Sequence, residues 1–299
     1  LCLWGVPYGL GAGSVDAALN NFVALHYRSR HMNWLHCFWG VGASLGPYVM
    51  GLCLTGGLPW NNGYQTIGIV QVALVACLFV SLPLWKREGT PGAAQPRQGE
   101  ALGIRAAFRL PGAGQTLTAF FCYCGLETTA GLWASSYMVL NRGIPAETAA
   151  TMASLFYLGI TGGRFLSGFA AIRLDDRRMV RIGLLFTALG IGLIFLPLGN
   201  APLFAGLALV GLGCAPIYPS LLHETPVNFG RERSQMLMGI QMACAYTGST
   251  LMPPLFGLIA QNATIALYPA YLLIFLALMT VMTERANRVF DARPAAAQA

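Results

Sequence analysis

The sequence predicts an all-α protein that crosses a membrane many times, and three observations lead to this fold class. Hydrophobic residues make up 56% of the 299 residues and charged residues only 10%, whereas soluble domains carry about 25% charged residues. The apolar residues form long runs without the polar–apolar alternation of membrane β-strands. The basic residues collect on one predicted side of the membrane. A soluble enzyme or a nucleic-acid-binding module is therefore excluded.

Nine apolar runs predict nine transmembrane helices. Each run is close to or above the roughly 20 residues that a helix needs to cross a bilayer. In chain order they cover residues 3–26, 33–56, 64–85, 115–138, 148–171, 179–198, 202–223, 236–260 and 265–283. The segment 86–110 contains glycine, proline, glutamine and five basic residues, as expected of a linker between two bundles.

The distribution of lysine and arginine supports this number of spans. If the spans alternate, one side of the membrane receives 16 of the 18 basic residues, namely Arg28, Arg30, Lys86, Arg87, Arg97, Arg105, Arg109, Arg173, Arg177, Arg178, Arg181, Arg231, Arg233, Arg285, Arg288 and Arg293. Cytoplasmic loops carry such an excess. We therefore expect a multi-pass protein of a bacterial inner membrane with a cytoplasmic C-terminus. The net charge of +7 then reflects topology and not a nucleic-acid partner.

A weak internal repeat predicts two related halves. Residues 42–51 and 248–257 share the pattern G-small-hydroxyl-L-x-P-x-x-x-G, 206 residues apart. Gly11 and Gly211 match at a spacing of 200, and Tyr64 and Tyr268 at a spacing of 204. Spans one to three thus parallel spans seven to nine, whereas spans four to six lack a counterpart.

The repeat predicts a protein of twelve helices in two six-helix bundles, an arrangement that places a transporter's substrate site at mid-membrane. About 90 residues with three further helices are expected to precede residue 1. The predicted domains are the last three helices of the first bundle (1–85), a cytoplasmic linker (86–110), the second bundle (111–285) and a cytoplasmic tail (286–299).

Asp16 is the clearest candidate for a functional residue. A charge at the bilayer centre costs about 2.5–3.5 kcal/mol on insertion scales, and intramembrane acids are usually functional. Asn20 follows four residues later and therefore lies on the same helix face. We interpret Asp16 as a proton-carrying carboxylate in a central cavity, with Asn20 as a substrate contact. The alternative is a protonated carboxyl group bonded to a neighbouring helix.

Glu127 and Arg164 are the other ionisable residues well inside spans. Glu127 has two interpretations: a second cavity carboxylate that couples protons and contacts substrate, or an ion-pair partner of Arg164 that fixes two helices together. Arg164 lies toward the basic end of its span, where we expect it to pair with an acid or with helix carbonyls and to gate that side.

Several further side chains are candidate substrate contacts, namely His36, Tyr123, Trp133, Tyr137 and Gln241. His36 begins a span beside tryptophans; it either relays protons and contacts solute or is a satisfied structural histidine. Gln241 either contacts a polar solute or makes a hydrogen bond between helices.

The sequence does not support nucleotide binding or zinc binding. The glycines from Gly9 to Gly13 lack the preceding strand of a dinucleotide loop, and no Walker-type phosphate loop is present. Cys122 and Cys124 have no second pair at zinc spacing. We therefore expect no catalytic residue, no metal and no cofactor, and the protein is not predicted to be an enzyme.

The residues resemble a known family. The run from Gly11 to Phe22, the run from Phe121 to Gly125 with Trp133, Gly163-Arg164-Phe165 with Gly168, Tyr218-Pro219, and residues 32–40 carry the resemblance. They are similar to the major facilitator superfamily and, within it, to the branch of bacterial fucose permeases. This resemblance implies a sugar:proton symporter and a proton-coupling role for Asp16.

We therefore expect a secondary transporter in the lipid bilayer, acting as a monomer, that moves a small polar solute such as a sugar together with protons by alternating access. Two alternatives remain open. One is proton-antiport efflux of drug-like compounds. The other is a membrane protein that does not transport, or an inactive fragment.

Overall fold

The computed structural model describes residues 2–85 and 104–292, and the described residues contain helices and no strand. Eleven α-helices follow in chain order: α1 Cys2–His26, α2 Ser29–Thr55, α3 Trp60–Trp85, α4 Ile104–Phe108, α5 Ala113–Arg142, α6 Ala146–Ala170, α7 Asp176–Phe195, α8 Asn200–His223, α9 Thr225–Phe229, α10 Arg231–Asn262 and α11 Tyr268–Asp291. A short 3₁₀ turn, Ile265–Leu267, precedes α11. The predicted all-α class is confirmed.

Each predicted span lies on a long helix of the described chain. Four stretches are long and apolar enough to cross a membrane, namely Trp60–Leu84, Asp176–Phe195, Asn200–Phe229 and Ile265–Asp291. The other five predicted spans lie on α1, α2, α5, α6 and α10, and that these helices cross the membrane stays a prediction. Residues 86–103 of the predicted linker and 293–299 of the predicted tail lie outside the described residues.

Several helices extend beyond the apolar runs from which they were predicted. The helix α10 begins at Arg231 although its apolar run begins at residue 236, and α11 continues to Asp291 although its run ends at 283. Helical hydrogen bonding continues through these polar end turns, because water and charged side chains can pair with the backbone N–H and C=O groups that the helix end leaves open. Asp175 begins α7 as an N-cap, accepting from the Arg178 backbone N–H at 2.8 Å.

The chain divides into two compact units, Leu1–Cys37 with Leu102–Ala299, and Phe38–Ala101. The first unit holds the core, whose largest fully buried side chains include Tyr123, Phe120, Phe156, Phe256 and Tyr268. In the second unit α3 leaves its apolar side chains exposed, Val80 for example at 81%. Such a surface is expected of a helix that faces lipid.

Helix α8 packs closely against two neighbours because glycines remove the side chains between them. A Cβ on Gly159 of α6 would clash with the Ala208 carbonyl oxygen, and one on Gly211 would clash with the Phe156 carbonyl oxygen. Gly183 of α7 and Gly213 of α8 make a similar close approach. Membrane helices commonly pack in this way, because lipid provides no hydrophobic drive between them.

Candidate functional site

Asp16 accepts hydrogen bonds on both carboxylate oxygens, and one of these bonds joins α1 to α10. Asn20 donates from Nδ2 to Asp16 Oδ1 at 2.8 Å and to the Asp16 carbonyl oxygen at 2.9 Å. Tyr246 on α10 donates from its hydroxyl to Asp16 Oδ2 at 2.8 Å. Two donors on different helices therefore bond to one carboxyl group, and the Tyr246 bond exists only while these helices are in contact.

His36 extends this cluster to α2. The ring nitrogen Nε2 of His36 lies 2.9 Å from Asn20 Oδ1. Because the Asn20 amide nitrogen donates to Asp16, its oxygen is left to accept, so His36 carries the hydrogen on Nε2. The His36 ring meets Tyr218 edge to face at 5.2 Å between centroids. Asp16, Asn20, His36 and Tyr246 form a continuous hydrogen-bonded group, called here the Asp16 cluster.

Arg164 and Glu127 form a buried ion pair between α6 and α5. Arg164 Nη2 lies 3.1 Å from Glu127 Oε1, and the two side chains are 4% and 15% exposed. Arg164 Nη1 also donates to the His36 carbonyl oxygen at 3.4 Å. The pair predicted as one of two interpretations of Glu127 is thus present, and Glu127 compensates the Arg164 charge.

Tyr123 and Tyr218 form an aromatic wall behind these polar groups. Tyr123 is fully buried and donates its hydroxyl to the Cys214 carbonyl oxygen at 3.0 Å. Its ring lies 5.6 Å from that of Tyr218, which also meets Phe120 at 5.3 Å. Tyr218 was not among the predicted site residues, although its Tyr-Pro pair was noted in the sequence.

Three of the predicted substrate contacts lie elsewhere: Trp133 and Gln241 make hydrogen bonds within the protein, and Tyr137 is buried. Trp133 donates its indole N–H to the Pro253 carbonyl oxygen at 3.0 Å. Tyr137 is 3% exposed and packs against Tyr268. Gln241 is fully buried and accepts a hydrogen bond at 3.0 Å from the Thr225 hydroxyl.

A second polar group, at the basic ends of the helices, was missed by sequence reasoning. Both carboxylate oxygens of Asp176 accept hydrogen bonds, one from the Ser29 hydroxyl and one from His223 Nδ1 at 2.6 Å. His223 Nε2 lies 3.2 Å from the Tyr27 carbonyl oxygen. Since both ring nitrogens face acceptors, the geometry corresponds to the doubly protonated imidazolium. The signal in the sequence was the acidic start of α7 and a histidine at the end of α8.

The described residues contain no group of three histidine, cysteine, aspartate or glutamate side chains that could hold a metal ion. The arrangement instead suits polar recognition and proton binding, because hydroxyl, amide and imidazole groups surround one carboxylate. Long apolar helices that carry a partly buried polar cluster are typical of a multi-pass membrane protein whose chemistry lies between its helices.

The comparisons with known proteins specify this class. Residues 116–295 match the model of the Major Facilitator Superfamily, more than half of the chain, so the protein belongs to this superfamily of membrane transporters and is not an enzyme. No curated protein matches the chain.

Solved structures show the same fold. A major facilitator transporter, FucP, in the outward conformation matches with a TM-score of 0.70 at 15% identity, over 92% of this chain and 72% of that one. A variant of the E. coli fucose:proton symporter FucP matches at 0.70 and 18% identity, over 92% and 73%. A bacterial homologue of the iron transporter ferroportin, in an outward-facing state, matches at 0.75 and 14%, over 98% and 72%.

Proposed function

We propose that this protein is a proton-coupled secondary transporter that takes up a small uncharged polar solute, such as a sugar, by alternating access. The observation that carries the proposal is the Asp16 carboxylate, which accepts from Asn20 on its own helix and from Tyr246 on α10. The proposal adds a coupling ion and a substrate class to membership of the superfamily.

The coupling follows from the bond between α1 and α10. The ionised Asp16 carboxylate accepts the Tyr246 hydroxyl, and protonation removes negative charge and one acceptor site from the same carboxyl group. Hydrogen bonds to charged groups are worth about 1.5–3 kcal/mol, roughly twice neutral ones. Proton binding therefore weakens the link between helices that the sequence assigns to different bundles. Alternating access requires such a link to break and reform.

The Arg164–Glu127 pair supports an uncharged solute. An anionic substrate needs an uncompensated cation, and Glu127 already compensates Arg164. The groups around Asp16 that remain for recognition are the amide of Asn20, the imidazole of His36 and tyrosine hydroxyls, which suit a polyol or sugar. The similarity of the fold to a fucose:proton symporter supports the same substrate class. Glu127 then influences substrate binding and proton coupling indirectly, through its ion pair with Arg164.

The proposed setting is a bacterial inner membrane with the basic helix ends and the C-terminus in the cytoplasm. Helices up to residue 85 belong to one bundle and residues 111–285 to the other, with 86–110 as linker and 286–299 as tail. The hydrogen bonds of Asp176 with Ser29 and His223 then hold the cytoplasmic ends together, in an outward-facing arrangement. The transporter acts as a monomer.

A substrate panel in proteoliposomes tests the proposal. An inward proton gradient should drive accumulation of neutral monosaccharides above the level without a gradient. A sugar acid, a divalent cation and an amphipathic cationic dye should not accumulate. Accumulation of the sugar acid or the divalent cation would contradict the proposed substrate class. Proton-driven export of the dye would show antiport efflux instead.

A further inference from the structure

A cavity of about 920 Å³ lies at the end of the bundle where the basic residues collect. Leu25 at the end of α1, Phe229 of α9 and Phe290 at the end of α11 contribute to its wall. Arg231 and Arg233, in the first turn of α10, also line it. None of these residues belongs to the Asp16 cluster, and the transport proposal gives the cavity no role.

The cavity carries uncompensated positive charge. Arg177 lines it as well, but this guanidinium pairs with Asp291 at 2.6 Å and with Glu224 at 3.4 Å. In the part of the chain that the structure describes, neither Arg231 nor Arg233 forms an ion pair. Arg231 donates to the Leu25 carbonyl oxygen at 3.3 Å. The positive end of the α10 dipole adds to the same region.

Apolar side chains lie beside these two arginines. Leu110, Val227, Phe229 and Phe290 line the cavity, and Val227 is 78% exposed. Phe229 and Phe290 pack edge to face at 5.3 Å and form a firm apolar surface. An inorganic anion would use only the arginines, whereas an amphiphile with an anionic head and hydrocarbon chains would use both surfaces.

The composition of the chain's neighbouring segments does not favour them as the ligand. Residues 86–103 contain Lys86, Arg87 and Arg97 against Glu88 and Glu100, and residues 293–299 contain one arginine and no acid, so both segments are net positive. The acid that lines the cavity, Asp291, pairs with Arg177. The charge of the described lining therefore favours an anionic ligand.

We propose that this cavity binds an anionic phospholipid from the leaflet on the basic side of the membrane. Arg231 and Arg233 hold the phosphate, and the apolar wall around Val227 and Phe229 receives the start of the acyl chains. Basic pockets between membrane helices bind acidic headgroups by this combination of charge and apolar contact. The bound lipid bridges the end of α1 and the beginning of α10, so it stabilises the protein. The proposal depends on membership of a membrane family and not on any particular substrate.

Thermal unfolding in lipid nanodiscs tests the site. The purified protein is compared in phosphatidylcholine alone and in phosphatidylcholine with phosphatidylglycerol. The wild-type protein should melt at a higher temperature when phosphatidylglycerol is present. In the double variant Arg231→Gln/Arg233→Gln, the mole fraction for half of this shift should rise roughly 30-fold, since each arginine that holds the lipid phosphate contributes a factor of about five.

A matched control separates a site from a general charge effect. Arg285 and Arg288 are exposed on α11 and do not line the cavity. The double variant Arg285→Gln/Arg288→Gln removes the same charge and should keep the wild-type shift. Equal losses in both double variants would overturn the proposal, because they would indicate nonspecific attraction to an anionic surface.

Two further measurements distinguish a bound lipid from misfolding and from a soluble anion. Arg233→Gln alone leaves the Arg231 bond to Leu25 intact, so this variant should fold and still need about five times more phosphatidylglycerol. Sodium phosphate added to phosphatidylcholine nanodiscs should not reproduce the shift. If phosphate alone gives the full shift, the ligand is a soluble anion and the lipid assignment is wrong.

Discussion

At the scale of single residues, the carboxylate of Asp16 and the guanidinium of Arg164 each join several helices. Asp16 connects α1 to α10 through Tyr246, and Arg164 connects α6 to α5 and α2 through Glu127 and the His36 carbonyl group. The two charged groups differ in whether an opposite charge lies beside them. Arg164 has a carboxylate partner, whereas Asp16 accepts from neutral donors, Asn20 and Tyr246. In the proposed function, protonation of Asp16 is the step that changes the contact between α1 and α10.

Removing one member of the Arg164–Glu127 pair should destabilise the protein strongly. Glu127→Gln leaves the Arg164 charge buried without its carboxylate, and loss of one partner of a buried pair costs about 3–5 kcal/mol. The measurement is the unfolding temperature in detergent. In the double variant Glu127→Gln/Arg164→Gln most of this loss should disappear.

An exposed pair provides the control for this experiment. Arg181 and Glu284 are 57% and 33% exposed at 2.7 Å, and exposed pairs contribute about 0–1 kcal/mol. Glu284→Gln should therefore change the unfolding temperature little. A loss in Glu127→Gln no larger than that in Glu284→Gln would contradict the structural role given to the buried pair.

Sequence reasoning found the charged residues of the candidate site more reliably than its polar uncharged ones. Asp16, Glu127 and Arg164 stood out because a charge in an apolar run needs an explanation. Gln241 and Tyr246 looked equivalent in the sequence. Five residues apart on a helix, they differ by about 140° in direction and cannot face the same partner. Which of the two faces Asp16 depends on the rotation of α10, which its sequence alone does not fix.

At the scale of elements, close helix packing around α8 depends on glycine pairs. The long helices of the described chain coincide with apolar runs, so their order was predicted, whereas the short helices α4 and α9 were not. The ends of the long helices were not predicted either, because the apolar residues stop before the backbone hydrogen bonds of the helix do. The contacts of α8 with α6 and α7 through Gly159, Gly211 and Gly213 also could not be predicted, since many glycines in this chain have open space around them.

Two neighbouring glycines of α6 should respond in opposite ways to the same substitution. Gly159→Ala places a methyl group against the Ala208 carbonyl oxygen, and such overpacking costs about 1–3 kcal/mol. Gly162 has open space at its Cβ position, so Gly162→Ala should stabilise α6 by up to about 1 kcal/mol through helix propensity. Unfolding temperatures in detergent test both. A Gly159→Ala protein as stable as Gly162→Ala would mean that α6 and α8 are not in close contact.

At the scale of the whole molecule, the distribution of arginine predicts which side faces the cytoplasm. The end of α5 and the loop after it have a single basic residue, Arg142, whereas the end of α11 carries Arg285 and Arg288. Alkaline phosphatase inserted after Gly143 should be active in a bacterial host. The same reporter fused after Asp291 should be inactive, and green fluorescent protein fused there should fluoresce. The reverse pattern would contradict the proposed orientation.

In the proposed function, proton binding at Asp16 drives solute uptake, and a pair of transport assays on Asp16→Asn checks this coupling step. Asparagine keeps the size of the side chain but neither ionises nor carries a proton. For a solute that the substrate panel has identified, the variant should lose accumulation driven by an inward proton gradient. It should retain exchange of external for internal solute across the same membrane. Accumulation at the wild-type level in Asp16→Asn would contradict the account.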